Sequence, residues 1–259
     1  MKLEKKNVAS ALAVLCLGMA VFLASFHTDH AGVAGTTAGS VRTSVQISGD
    51  LSVDDVKFVE ESGETRIDFD ALKAQNPDIY AWITVPGTGI DYPVLQKGDA
   101  ADPYDDYYLN HTLDLREGYP GSIYSHAVNQ RDFEDPVTIL YGHNLKDGSM
   151  FSGLHEFEDQ EFFEKNHQIL IHLPDRTVTY EVFAAVDYSD ELLPCAYDFS
   201  SPGEVRRYLA DVGSCAGNFR EDMEVSEEDK ILTLSTCYSG RDDRRLLIEA
   251  VMTESVQIR

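Results

Sequence analysis

Residues 230–250, KILTLSTCYSGRDDRRLLIEA, contain two apolar runs separated by a polar segment. In the first run, Leu232 and Leu234 alternate with Thr233 and Ser235, which is the period of a β-strand that buries one face. The polar segment 238–244 is typical of a turn, and the run 245–253 is typical of a returning strand. The sequence therefore predicts a β-hairpin with its leucines in a core and its Thr and Ser side chains on a polar face.

Cys237 continues the polar face of the first strand, so we expect its thiol to be accessible. The returning strand brings Arg245 beside it. A nearby guanidinium favours the thiolate and can stabilise an oxyanion, and a cysteine nucleophile needs both effects. The alternative is a strand-end cysteine beside a surface arginine, and the hairpin alone does not decide between the two.

The remainder of the folded region is also dominated by short apolar runs separated by Gly, Pro, Asn or Asp. Such runs predict strands, and their number predicts a mainly β domain, either a barrel or a sandwich. The predicted strands are 80–85, 90–95, 121–124, 137–141, 168–173, 178–187, 230–236 and 245–253. The predicted helices are 68–75, a turn or two within 151–164, and 202–212.

The helix over 202–212 has the clearest terminal signals. Ser201 is suited to the N-cap, Pro202 to the first helical position, and Glu204 to a capping box. Gly213 follows the expected end. This helix interrupts the series of strands as an insertion before the strand that carries Cys237.

The N-terminal part of the chain predicts a membrane anchor. Residues 8–26 carry no charged side chain, and at about 1.5 Å per residue a helix of this length approaches the roughly 30 Å of a bilayer core. Lys5 and Lys6 favour a cytoplasmic N-terminus. We therefore expect a cytoplasmic tail 1–7, a signal-anchor 8–26, an extracellular linker 27–65 with a short strand near 41–47, and a folded domain 66–259. A signal peptide cleaved near Ala31 or Ala34 is the alternative.

The charge balance limits the classes of partner. The 259 residues include 21 Lys+Arg and 45 Asp+Glu, a net charge of -24, which argues against a nucleic-acid partner. The acidic runs 102–106 and 221–229 are typical of solvated faces. They lack EF-hand spacing, and no metal site is predicted.

Cysteine usage is informative because we expect the domain to lie outside the cell. Cys16 falls within the predicted anchor, which leaves Cys195, Cys215 and Cys237, an odd number. Cys195 and Cys215 flank the predicted helix 202–212. They are either bridged, which would fasten that insertion, or two ordinary buried thiols.

One of the eight histidines has a setting that suggests chemistry. His143 follows Gly142 at the end of the predicted strand 137–141, which places an imidazole at the rim of the fold, where catalytic groups are common. For the other histidines we expect surface or core packing; they are His27, His30, His111, His126, His155, His167 and His172.

Several of these segments together resemble the sortases, and class B most closely. They are 233–237 (TLSTC), Arg245 before its apolar strand, 141–150 (YGHNLKDGSM), 83–96 (ITVPGTGIDYPVLQ) and 121–124 (GSIY). The resemblance covers about residues 66–253. It implies an eight-stranded sortase-type β-barrel with N-terminal helices and a helix between the sixth and seventh strands.

The resemblance also implies site roles. Cys237 would be the nucleophile, His143 the proton donor to the leaving amine, and Arg245 the group that holds the substrate carbonyl or its oxyanion. Arg244 is the alternative, but neighbouring strand residues point to opposite faces, so only one of the two arginines serves.

Two further roles that follow from the resemblance are less direct. Ser235 and Thr236 would shape the oxyanion site or contact the substrate. No metal and no organic cofactor is implied.

The activity implied by the resemblance is that of a membrane-anchored cysteine transpeptidase and thiol peptidase in a Gram-positive bacterium. Such an enzyme cleaves a C-terminal sorting signal of a secreted protein after Thr and holds the product as a thioester. It then transfers the acyl group to an amine of a peptidoglycan precursor or a pilin. Class B resemblance suggests Asn-Pro-x-Thr or a related pentapeptide.

Other classes fit less well. A papain-like secreted protease would have its Cys at the start of a helix and before its His in sequence. A sortase-like surface protein without activity is a third possibility. A zinc hydrolase and a nucleotide enzyme are disfavoured because neither a helical zinc motif nor a complete Gly-rich phosphate loop occurs.

Overall fold

The structure, a computed structural model, describes residues 46–48, 51–52, 56–59 and 65–258. The predicted cytoplasmic tail 1–7, the signal-anchor 8–26 and most of the linker 27–65 lie outside these residues. In the part of the chain described, no helix has both the length and the apolar character needed to cross a bilayer.

A closed barrel forms the centre of the folded domain. Within the described residues the strands are β1 (Gln46–Ser48), β2 (Leu51–Ser52), β3 (Lys57–Val59), β4 (Thr65–Ile67), β5 (Ile79–Val85), β6 (Ile90–Leu95), β7 (Ile123–Tyr124), β8 (Val137–Tyr141), β9 (Gln168–His172), β10 (Arg176–Ser189), β11 (Ala216–Phe219), β12 (Ile231–Tyr238) and β13 (Arg241–Gln257). The main sheet has the order β11-β10-β13-β12-β8-β7-β6-β5-β9, and β9 pairs with β10 as well as with β5. Eight strands therefore close, and β11 adds a ninth at the edge of β10. The predicted eight-stranded barrel is confirmed.

Helical segments are few and lie outside the barrel wall. They are α1 (Phe69–Gln75), α2 (Gln160–Lys165), α3 (Leu193–Ala196) and α4 (Pro202–Gly213), with 3-10 turns at Tyr107–Leu109 and Phe151–Glu158. When only the eight barrel strands are counted along the chain, α4 falls between the sixth strand, β10, and the seventh, β12, as expected. The sequence did not predict α3, the first 3-10 turn or β11.

The ends of α4 differ from the predicted capping. Ser201 occupies the N-cap, but its side chain makes no capping hydrogen bond. Glu204 pairs with Arg207 on the next turn instead of closing a capping box. Gly213 is still helical, and the C-cap is Ser214.

The strand that carries Cys237 is central in the sheet, with β8 on one side and β13 on the other. Leu232 and Leu234 point into the barrel core, as predicted. The opposite face is not open to solvent, because residues 231–236 are all buried. Helix α4 covers it, and the hydroxyl of Tyr208 of α4 lies 3.2 Å from the hydroxyl of Thr233. The sequence pattern identified the face correctly but not the insertion that covers it.

The hairpin turn is shorter than the polar segment suggested. β13 begins at Arg241, and Tyr238 pairs with Arg241 across a two-residue turn that ends at Gly240 with φ 76°. The strand register then shifts, and Cys237 pairs with Arg245. Polar residues 241–244 therefore belong to a strand end, where exposed side chains need no apolar character.

A buried carboxyl group lies between α4 and the barrel. Glu249 is fully buried; Tyr208 Oη donates to its Oε1 at 2.6 Å and Thr233 Oγ1 donates to its Oε2 at 2.9 Å. Burial raises the pKa of Glu249 from 4.5 to about 7, although the two hydroxyl donors partly oppose this shift. The folded protein therefore holds a proton that the unfolded chain releases above about pH 4.5.

We expect Glu249→Gln to stabilise the protein above pH 7. The folded-state pKa lies above the unfolded-state value, so the wild-type free energy of unfolding should fall as the pH rises from about 4.5 through about 7. Removing the charge should recover about 1–3 kcal/mol at pH 8. Urea unfolding between pH 4 and 8 measures this. Glu254→Gln, an exposed change on the same strand, should keep the wild-type slope. An unchanged slope in Glu249→Gln would contradict the assignment.

Candidate functional site

Two neighbouring parallel strands bring His143 and Cys237 to one rim of the barrel. β8 and β12 pair in parallel, with Tyr141 opposite Ser235. His143 lies two residues after Tyr141 in the chain, and Cys237 lies two residues after Ser235. The side chain of Cys237 is exposed. These two residues, 94 positions apart in sequence, therefore end on the same edge.

Close packing holds the end of β8 in place. Gly142 N donates to Ser235 O at 3.2 Å, and Thr236 Oγ1 donates back to Gly142 O at 2.8 Å. A Cβ at Gly142 would lie 2.5 Å from Ile123 Cδ1 and 2.8 Å from the ring of Phe151. Glycine is therefore required where the chain turns toward His143.

The imidazole of His143 is oriented from two sides. Its Nε2 lies 2.8 Å from Leu109 O, and the ring of Tyr119 lies 5.1 Å from its own ring. Because a carbonyl oxygen only accepts, Nε2 carries the proton in the neutral ring and Nδ1 has its lone pair free. The ring can therefore exchange a proton with a group in the site through Nδ1.

The two adjacent arginines have different partners. Arg245 pairs with Cys237 across the hairpin, and its Nη1 donates to the carbonyls of Asp242 and Arg244 at 2.9 and 2.8 Å. Among the described residues it makes no ion pair. Arg244 donates from Nε to Asp187 Oδ1 at 2.6 Å and from Nη2 to Asp187 O at 2.7 Å.

The Asp187 carboxylate engages Arg241 as well as Arg244, with the Arg241 contact at 2.7 Å. Burial opposes the ionisation of Asp187, but the hydrogen bonds from the two arginines outweigh it and hold its pKa below the usual range. Arg244 is therefore committed to an ion pair, and Arg245 is the arginine whose charge is available beside the thiol.

Ser235 and Thr236, the two further candidates from the sequence, also lie at the site. Both line the same cleft as Cys237, yet both are almost fully buried. The hydroxyl of Thr236 is used to hold Gly142 O. Ser235 therefore has the side chain better placed to meet a substrate.

Two clefts meet at Cys237 and His143. The first, about 250 Å³, contains Arg245 and runs between the 3-10 turn at Tyr107–Leu109 and the segment 189–193 that follows β10. The second, about 1020 Å³, has Tyr92, Tyr119 and Met150 in its walls. Arg245 lines the first cleft, whereas the second is lined by Lys146 together with Asp147, so the arginine opposite the thiol serves only one side of the site.

Two residues that sequence analysis did not single out, Asn144 and His155, contact the main chain of Cys237, and a third, Glu158, contacts His155. Asn144 Nδ2 donates to Cys237 O at 3.0 Å, and His155 Nε2 lies 3.1 Å from the same oxygen. His155 Nδ1 is 2.6 Å from Glu158 Oε2. The position of Asn144 directly after His143 was a usable signal, but nothing local placed His155 beside the main chain of Cys237.

Cys195 and Cys215 are both free thiols in the structure. Cys195 is exposed and Cys215 is half-buried, so the bridge considered from their spacing is not formed. Cys215 Sγ donates to Asp211 O at 3.4 Å, and burial raises the pKa of its thiol. Across the described residues, no group of three or more His, Cys, Asp or Glu side chains is placed to hold a metal ion.

The chain is similar to known proteins in sequence and in fold. A family model described as Sortase domain matches residues 83–253. The sortase B of Listeria monocytogenes is 32% identical over 188 residues, which cover 73% of this chain and 74% of that protein. The structure of Clostridium perfringens sortase B matches with a TM-score of 0.64 and 28% identity, covering 72% of this chain and 100% of that one.

A solved complex is also similar. The Staphylococcus aureus sortase B–substrate complex matches with a TM-score of 0.62 and 28% identity over 72% of this chain and 85% of that one. The family model alone spans well over half of the chain, and the barrel has the strand number and the helical insertion expected of the family. The chain therefore belongs to the sortase family of cysteine transpeptidases, in class B.

Proposed function

We propose that the protein cleaves a C-terminal sorting signal of secreted proteins after Thr and transfers the acyl product to an amine of a cell-wall precursor or a pilin. The observation that carries this proposal is the meeting of three side chains at one rim. Cys237 lies opposite Arg245 in the β12–β13 hairpin, and the parallel β8–β12 pair brings His143 to the same edge.

In the first step the Cys237 thiolate attacks the Thr carbonyl, and the carbonyl electrons move to oxygen beside the guanidinium of Arg245. The C–N bond then breaks, and His143, as imidazolium, protonates the departing amine. In the second step the acceptor amine attacks the thioester, His143 takes its proton, and Cys237 leaves as thiolate. No metal or organic cofactor takes part in this proposal.

The two clefts suit the two halves of this reaction. We place the acyl part of the sorting signal in the cleft that contains Arg245, since the carbonyl must lie near the cation. The departing amine and the incoming amine occupy the same position relative to the thioester carbon. Both therefore belong on the Tyr92 and Tyr119 side, which His143 also lines.

The predicted anchor gives this chemistry its location. Residues 8–26 would hold the chain in the cell membrane with its N-terminus in the cytoplasm, and residues 27–65 would place the barrel on the outer side. A secreted substrate and a cell-wall acceptor both reach that side. This arrangement is supported by the sequence of the anchor and by the three lysines before it.

The test is acyl transfer by the full chain in detergent micelles. We expect it to cleave quenched peptides that contain Asn-Pro-x-Thr or a related motif, with hydroxylamine accelerating turnover several-fold and yielding a Thr hydroxamate by mass spectrometry. Cleavage that gives the hydroxamate but no transfer of the acyl group to an added peptide amine would instead indicate the hydrolytic cysteine protease. Absence of cleavage across the whole panel would favour the inactive surface protein.

A further inference from the structure

The peptide that follows Cys237 lies beyond the regular ladder on both sides. Toward β13 the register shifts directly after Cys237, since Cys237 pairs with Arg245 but Tyr238 pairs with Arg241. Toward β8 the strand ends at Tyr141. Strand pairing therefore holds Ser235 firmly but leaves the Cys237–Tyr238 peptide without a ladder partner on the β8 side.

A side chain takes the place of the missing ladder bond. Ser235 O accepts from Gly142 N, and the next carbonyl on the same edge of β12 is that of Cys237. In a continued parallel ladder residue 144 would supply its backbone N–H. Here Asn144 Nδ2 donates to Cys237 O at 3.0 Å.

His155 and Glu158 fix the amide of Asn144. His155 Nδ1 lies 2.6 Å from Glu158 Oε2, and a carboxylate oxygen accepts, so in the neutral ring the proton is on Nδ1. Nε2 then accepts from Asn144 Nδ2 at 2.9 Å, and its 3.1 Å approach to Cys237 O is a contact without a hydrogen bond. The hydrogen-bond network thus assigns a chain from Glu158 through His155 and Asn144 to the Cys237 carbonyl. The ring of Tyr238 packs edge-on against His155 at 5.2 Å.

We propose that Asn144, His155 and Glu158, named here the Cys237 clamp, are positioning residues that set the direction of the nucleophilic thiol. The clamp fixes the peptide on the C-terminal side of Cys237, and rotation of that peptide would move Sγ away from Arg245 and His143. Its effect on catalysis rests on the proposed function, whereas its effect on the thiol does not.

The kinetic test uses His155→Ala and Asn144→Ala in the full chain. A nucleophile displaced by about 1 Å can cost about 10- to 100-fold in rate, so kcat for acylation should fall by that factor while KM for the peptide stays near the wild-type value. His155→Gln should restore most of kcat, because its amide oxygen can accept from Asn144. The matched control is Glu156→Gln, an exposed change in the same 3-10 turn.

The second measurement is the rate at which iodoacetamide alkylates Cys237 at fixed pH, with peptide mass spectrometry separating it from Cys16, Cys195 and Cys215. We expect several-fold slower alkylation in both alanine variants and no change in Glu156→Gln. If the Tm shows that one of the alanine variants fails to fold, Glu158→Gln replaces it, because this change keeps the shape of the side chain. Glu158→Gln should also slow the alkylation of Cys237.

The outcomes separate the two proposals. Slower alkylation in a protein that cleaves no sorting peptide would support the clamp and contradict the proposed function. Normal alkylation and normal kcat in both alanine variants of an active enzyme would overturn the clamp. A raised KM with unchanged kcat would also overturn it, because that result indicates substrate binding instead of thiol positioning.

Discussion

Cys237→Ala should reduce peptide cleavage to the background level, a loss of about 10⁴-fold or more in kcat. The proposed reaction needs a covalent intermediate. Of the other thiols in the described residues, Cys195 lines a separate cleft and Cys215 lies beside Asp211, so neither lies in the clefts that meet at His143. No acyl-enzyme should appear by mass spectrometry after the variant is mixed with substrate.

Cys195→Ala is the matched control for this loss. Cys195 is an exposed, unbridged thiol outside the site, so its removal should leave both cleavage and the acyl-enzyme unchanged. Activity that survives in Cys237→Ala but disappears in Cys195→Ala would show that the nucleophile has been assigned to the wrong thiol.

Arg245→Ala should lower kcat by about 10²- to 10³-fold, the usual cost of removing one group that stabilises an oxyanion. Arg245 lies opposite the thiol and has no carboxylate partner among the described residues, so its charge is free to act on the substrate. Arg245→Lys should recover only part of the loss, because an ammonium lacks the planar pair of donors of a guanidinium.

The neighbouring arginine supplies the control for Arg245. Arg244 is bound to Asp187 by two hydrogen bonds, so Arg244→Ala should lower the Tm slightly and leave kcat close to that of the wild type. The assignment would fail if Arg244→Ala lost activity while Arg245→Ala kept it. Peptide cleavage kinetics and thermal unfolding of the two variants measure both quantities.

The features predicted from sequence are those that depend on neighbouring residues. Alternation along 230–236 located the core face of β12, and the hairpin pattern correctly placed Arg245 opposite Cys237. Gly142 followed by His143 located the rim. The family resemblance then supplied the barrel closure and the pairing of two distant segments, which the spacing of residues alone did not reveal.

The features that were missed depend on contacts distant in sequence. Thr233 faces Tyr208 of an insertion that precedes it by 25 residues, so its strand pattern could not show that the polar face is covered. His155 reaches the main chain of Cys237 across 82 residues. Strand β11 is short, and its residues Ala216 to Phe219 have no apolar alternation to mark them.

The parallel pairing of β8 with β12 has a consequence for the folding of the chain. Parallel neighbours need a long crossover, and here His143 and Cys237 lie 94 positions apart, with β9, β10, β11 and α4 between them. Contacts of such high sequence separation form late, because the loop-closure entropy must be overcome first. The Cys237 thiol thus meets the imidazole of His143 and the guanidinium of Arg245 only in a finished barrel. A chain emerging N-terminus first has no assembled site until its last two strands have docked.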